Sequence, residues 1–239
     1  MIGLGTIINA AAIVLGGLVG VLFGRFISNR LQETLMQAMG VCVLFVGLGG
    51  ALEKMLTIAD GGLSSGGTMM IVVSFALGTV IGEALDLEGR ITRFGEWLKG
   101  KTGNSAERGF VNGFVTASLT VCVGAMAVLG AIQDGNFGDY TTLALKSLLD
   151  FLIICVMTTV LGKGCIFAAI PVAVFQGLIT LLARFLAPIM TDTALDHLGL
   201  TGSILIFCVG INLLWKDKLR VANMLPAIVI AVVWALLFG

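Results

Sequence analysis

Lys146 and Asp150 are the side chains of this sequence best placed to do chemistry. They stand four apart in an apolar run, so on a helix they share one face and can pair. An ionised group at the centre of a bilayer costs about 2.5–3.5 kcal/mol on insertion scales, and such groups therefore face a partner or a water-filled cavity. Asp150 lies about eight residues inside its run, roughly 12 Å deep at 1.5 Å per residue, deeper than any other charge. Two roles fit the pair. It is a fixed ion pair with Lys146 snorkelling outward, or a site where Asp150 takes a proton or cation and Lys146 tunes it.

Other polar residues fall within or beside apolar runs: Asn9, Glu83, Gln133, Asp134, Gln176, Asn212 and Asn223. Asp134, just before Gly135, is read as closing a turn near the outer surface or guarding an entrance. Glu83 is about two residues from a run's end and within reach of water, and Asn223 precedes Pro226, where it can cap a helix start. Asn212 follows Gly210 in a short Gly-containing run, and Gly47 stands at the matching place in another. Short Gly-interrupted spans can unwind and present backbone groups to a solute, so Gly47, Gly210 and Asn212 are candidates to shape a site near the midplane. Close helix packing is the competing role for such glycines.

Metal and enzyme chemistry find little support. Cys42, Cys122, Cys155, Cys165 and Cys208 all lie in apolar runs without a CxxC pair, and read as packing residues. His197, the single histidine, is expected in an outer loop beside Asp192 and Asp196. HExxH and GxGD are absent. No catalytic residue, metal or cofactor is expected.

The elements that must position these residues follow from hydropathy. The chain is 58% hydrophobic and 12% charged, against about 25% charged in a soluble domain, with a mean hydropathy of +1.07. Runs long enough to cross ~30 Å of hydrocarbon fall at roughly 3–24, 35–52, 68–85, 113–132, 142–162, 165–187, 200–215 and 221–239. The fold class is an all-α polytopic membrane bundle of eight helices, because backbone amides in lipid must pair within their own segment. The opening run reads as a retained helix, since it has no basic leader. Lys and Arg concentrate after runs 1, 3, 5 and 7: Arg25 and Arg30; Arg90, Arg93, Lys99, Lys101 and Arg108; Lys163; Lys216, Lys218 and Arg220. Only Lys54 and Arg184 fall on the other side, so the positive-inside rule places both termini outside. Leu87, Ile91, Phe94 and Leu98 recur at helical spacing in the 86–112 connector, which predicts an amphipathic helix on the cytoplasmic leaflet or a solvated linker.

Spans 1–3 resemble spans 6–8. "INAAAIVLGGLVGVLFGR" matches "IFAAIPVAVFQGLITLLAR", and "MGVCVLFVGLGGAL" matches "GSILIFCVGINLL". Five helices precede span 6, so the copies would be inverted, as in many secondary transporters. The expected organisation is one integral membrane domain over 1–239, with repeat units at about 1–88 and 163–239, the linker helix within 86–112, and spans 4–5 at about 113–162. Gly16, Gly20 and Gly24, and Gly78 and Gly82, form small-residue faces for helix packing, within the chain or in a homo-oligomer.

At "GTIINAAAIVLGGLVG", "CVGAMAVLGAIQDG", "LKSLLD" and "VANMLPA" the chain resembles the YqgA-type family of bacterial inner-membrane proteins of unknown function. That resemblance implies the bacterial cytoplasmic membrane and brings no substrate or site residues with it. The expected function is a secondary transporter or channel for a small polar solute or ion. The alternative is an assembly or scaffold protein acting through helix contacts. Expected partners are the lipid bilayer and that solute or ion, with no nucleic acid.

Overall fold

The computed structural model describes every residue except Met1, Arg25, Ile27, Asp60, Gly61, Ser105, Ala106, Arg108, Val123, Lys216, Asp217 and Gly239. Arg25, Arg108 and Lys216, three of the charges that set the expected orientation, lie outside the described residues.

The chain is almost wholly helical. α1 (Leu4–Gly24) and α2 (Asn29–Met55) lead to a two-stranded antiparallel hairpin of β1 (Leu56–Ala59) and β2 (Gly62–Ser65). α3 (Thr68–Leu85) and α4 (Leu87–Lys101) follow, then α5 (Phe110–Cys122), α6 (Ala125–Phe137) and α7 (Thr141–Leu161). A 3₁₀ segment (Lys163–Ala168) opens into α8 (Ala169–Leu181) and the short α9 (Ala183–Leu186). α10 (Asp192–Trp215), α11 (Val221–Met224) and α12 (Pro226–Phe238) end the chain. Among the described residues, seven helical stretches are long and apolar enough to cross a membrane, and α5 with α6 makes an eighth if the bent pair is one span.

Three features differ from the sequence expectation. Span 4, expected to run unbroken over 113–132, is two helices meeting at 64°. Gly124 sits at the junction with φ +152°, a conformation that a side chain disfavours. Spans 2 and 7, where glycine content pointed to breakage, are the unbroken helices α2 and α10. Span 7 also starts eight residues earlier than expected, so His197 lies in α10 and not in a loop. Thr191 Oγ1 accepts the Ala194 N–H at 3.2 Å there, and Asp192 in the first turn complements the helix dipole.

The helices group into two compact units, each assembled from segments that are separated in sequence. One comprises Met1–Met39, Gly89–Cys122 and Met126–Ala187; the other comprises Gly40–Glu88, Val123–Ala125 and Pro188–Gly239. In the first, α1 lies so close to α7 that a methyl at Gly16 or Gly20 would collide with the Phe151 or Cys155 carbonyl. α1 also faces the span that ends in α8, with Thr6 beside Thr180, Asn9 beside Gln176 and Gly17 beside Ile166. Position numbers rise on one helix as they fall on the other, so the two run antiparallel. α4 is the helix expected in the connector. Its Gly95 and Leu98 are buried, Leu98 packs with Phe110 and Phe114, and Trp97 points outward.

In the second unit α2 and α10 are antiparallel by the same criterion: Gly40 abuts Leu214, Gly47 abuts Phe207, and Gly50 abuts Ser203. α3 meets the α11–α12 segment at Gly78 against Ala227 and Gly82 against Asn223. Ala51, Met70, Leu200 and Ala231 form a buried cluster from four helices.

Candidate functional site

The Lys146–Asp150 pair lies on the buried face of α7, with only 7% and 3% of the two residues exposed. Lys146 Nζ donates to Asp150 Oδ2 and, at 2.8 Å, to the Val121 carbonyl. Val121 is one residue from the end of α5. The last carbonyls of a helix have no amide partner within it and carry the negative end of its dipole. An ammonium at that point therefore satisfies an orphan acceptor while neutralising a carboxylate. Removing one partner of a buried ion pair typically costs about 3–5 kcal/mol, because the other charge is left uncompensated.

Three more polar groups gather around the pair. The Asn9 amide of α1 lies beside the Asp150 carboxylate, and Asn9 Nδ2 donates to Gln176 Oε1 of α8 at 3.2 Å. Asn9 and Gln176 are fully buried, and Asn9 Oδ1 and Gln176 Nε2 have no hydrogen-bond partner among the described residues. Cys122, the residue after Val121, is near enough to feel both charges of the pair. Four elements of the first unit thus converge: α1, the end of α5, α7 and α8. Asn9, Lys146 and Asp150 were legible as candidates by depth and polarity. The Val121 carbonyl was not, since the break that frees it was not expected; Gly124 in mid-run was its available signal.

The other candidates have different partners. Asp134 does not emerge at a surface: it is fully buried within α6, and Oδ1 and Oδ2 accept the Gly3 and Gly5 N–H groups at 3.2 and 3.0 Å. It closes the start of α1, where a negative group complements the dipole. Gln133 Oε1 accepts the Thr142 hydroxyl at 2.7 Å. In the second unit Asn223 Oδ1 accepts the Glu88 N–H at 2.8 Å, so it caps the first turn of α4 and not its own helix. Glu83 pairs with Arg220 at 3.1 Å on an exposed surface. Asn212 clasps the following turn, donating to the Leu219 carbonyl at 2.7 Å and accepting its N–H at 2.9 Å. Gly47 and Gly210 are places where α2 and α10 touch, and the helices stay wound there.

Among the described residues no group of three or more His, Cys, Asp or Glu could hold a metal ion. Gly62-Leu63-Ser64-Ser65-Gly66 has the spacing of a GxSxG nucleophile motif, which requires a strand-to-helix elbow. Ser64 instead pairs with Thr57 in the β hairpin, so the motif's structural context is missing.

A recess of about 260 Å³ opens at the ends of α1 and α7, lined by Gly20, Gly24, Glu107, Thr158, Thr159 and Lys163 among others. Glu107 Oε1 accepts the Lys163 N–H at 2.7 Å beside it. Thr158 is eight residues from Asp150 on α7, about 12 Å along the axis.

No solved structure matches the chain. It is 29% identical over 226 residues to the uncharacterized membrane protein YdfK of Bacillus subtilis (strain 168), covering 95% of this chain and 93% of that protein. It is 25% identical over 232 residues to the uncharacterized protein YqgA of Escherichia coli (strain K12), covering 95% and 94%. The family described as protein of unknown function (DUF554) matches residues 4–236. With its apolar helices and its YqgA and YdfK relatives, the chain is a polytopic membrane protein and belongs to the DUF554 family.

Proposed function

We propose that the protein is a secondary transporter or channel that carries a small polar solute or ion across the bacterial cytoplasmic membrane, with both termini outside. The observation that carries this reading is the buried Lys146–Asp150 pair at the carbonyl end of α5, where the bent pair of α5 and α6 breaks. Membrane proteins tolerate non-helical backbone at depth only where it is buried in protein or lines a cavity. Discontinuous helices whose carbonyl ends face a cation are the usual ion sites of transporters. In this reading Asp150 binds the proton or cation, Lys146 competes for it, and Asn9 and Gln176 hold the carboxylate in place. The recess at Glu107 and Thr158 is the approach from the side that the charge bias makes cytoplasmic.

The pairing of spans that an inverted repeat would relate supports the same reading. Spans 1 and 6, and 2 and 7, matched by sequence, are in each case antiparallel neighbours, as are spans 3 and 8. In the middle pair the two matched glycines make the contact, Gly47 on Phe207 and Gly210 on Leu44. Such reciprocity is what an axis in the membrane plane would produce.

The test is flux in proteoliposomes, measured for protons, alkali cations, ammonium, amino acids and organic acids against protein-free vesicles. The reading expects flux of at least one class, falling at least tenfold in Asp150→Asn. Equal flux in wild type and Asp150→Asn would overturn the role of Asp150. No flux of any class would favour the assembly role.

A further inference from the structure

The Lys146 ammonium sits in a cradle that has the chemistry of a cation site. Its two acceptors are a carboxylate oxygen of Asp150 and a helix-terminal carbonyl, that of Val121. Both are hard oxygen donors, and the carbonyl carries the negative end of a helix dipole. The cradle is buried, with Asp150 and Lys146 almost fully covered and the half-buried Cys122 adjoining. A free inorganic cation would meet the same donors if the lysine withdrew. Lys146 can withdraw without unfolding its helix, because its four-carbon stem is flexible and its backbone lies within α7. The neighbouring amide pair also keeps unused capacity: Asn9 Oδ1 is a buried acceptor without a partner among the described residues, on a side chain whose amide adjoins Asp150.

We propose that Lys146 is a tethered occupant of a small-monovalent-cation site formed by Asp150 and the Val121 carbonyl, and that the transported cation binds by displacing its ammonium. This rests on the transport reading and names the class of ion. A small monovalent cation exchanges for the ammonium without changing the charge in the cradle, so the buried site stays neutral throughout. A divalent cation would leave net positive charge there, and an anion would meet the carboxylate; both are disfavoured in low dielectric. The lysine then keeps the site from standing empty between turnovers.

Thermal unfolding of the purified full chain in detergent provides the test. Wild type, Lys146→Ala, Lys146→Met and Lys146→Ala/Asp150→Asn are each titrated with Na⁺, K⁺, NH₄⁺ and methylammonium as chlorides. N-methyl-D-glucamine chloride holds ionic strength constant. The expected result is a saturable rise in Tm of several degrees with at least one small cation in Lys146→Ala or Lys146→Met. The same cation should need at least a tenfold higher concentration in wild type, where the tethered ammonium competes, and should have no effect in the double variant. Equal responses in wild type and the lysine variants, or none to any small cation, would overturn the proposal. So would failure of both single variants to fold when the double variant folds in every salt, which marks the pair as a structural clasp. Saturable cation binding without flux in vesicles would retain the cradle and remove the transport reading, so the two failures are distinguishable.

Discussion

Buried carboxylates Asp134 and Asp150 sit in the same unit and are stabilised by different means. Asp134 is held by two backbone N–H groups at the start of α1, whereas Asp150 is held by the Lys146 ammonium with the Asn9 amide beside it. Asp134→Ala should lower stability by about 1–3 kcal/mol, the cost of a lost cap plus unpaired buried donors, without the cation effects expected at Asp150. Thermal unfolding with and without small cations separates the two. At the surface, Asp139 accepts the Thr141 N–H at 3.0 Å, and hydrogen bonds from the Thr141 hydroxyl and N–H hold its carboxyl below the usual range. A depressed carboxyl contributes stability above its unfolded pKa and loses it as pH falls through the folded value. Asp139→Ala should therefore unfold at a lower temperature than wild type at pH 7, and the gap should close as pH falls below about 4. The depth of Asp150 and its pairing with Lys146 were legible from spacing alone. Roles for Asp134 and Asn223 were not, since each caps a helix more than 100 residues away in sequence.

Among the elements, close glycine contacts decide how the helices meet. In α2 a methyl at Gly47 would strike the Phe207 backbone, while one at Gly49 has nothing within 4 Å. Gly47→Ala should therefore cost about 1–3 kcal/mol through overpacking, and Gly49→Ala should be neutral or slightly stabilising. Comparing unfolding temperatures of the two variants checks this, and equal effects would contradict the packing. Hydropathy made the spans legible because lipid imposes a length and an apolar surface on each helix. It could not place the break, since glycines that pack and a glycine that bends the chain look alike in composition. Gly124 differs only in having a positive φ, which is set by the fold around it. Hairpin strands β1 and β2 were also missed, although Asp60-Gly61 between them in the sequence is a strong hairpin signal.

For the whole molecule, the proposed topology of eight crossings would put the hairpin after span 2 and α4 after span 3 on opposite sides of the membrane. A cysteine at Leu63 should react with an impermeant maleimide from outside intact cells, and one at Trp97 only after permeabilisation. Labelling of both from one side would contradict the topology. Sequence matching aligned span 1 with span 6 and span 2 with span 7, and the members of each pair lie side by side. The two compact units were not legible, because each gathers helices from stretches that are not consecutive in sequence. Central to the account is that ions from water reach Asp150. Its most direct test is reaction of a small cationic methanethiosulfonate with cysteines placed along α7, in vesicles and in a background without native thiols. Ser147→Cys, on the buried face with Asp150, should react, whereas Leu149→Cys, on the exposed apolar face, should not. Silence at position 147, in the presence and absence of small cations, would mean that the pair is dry and would contradict the transport account.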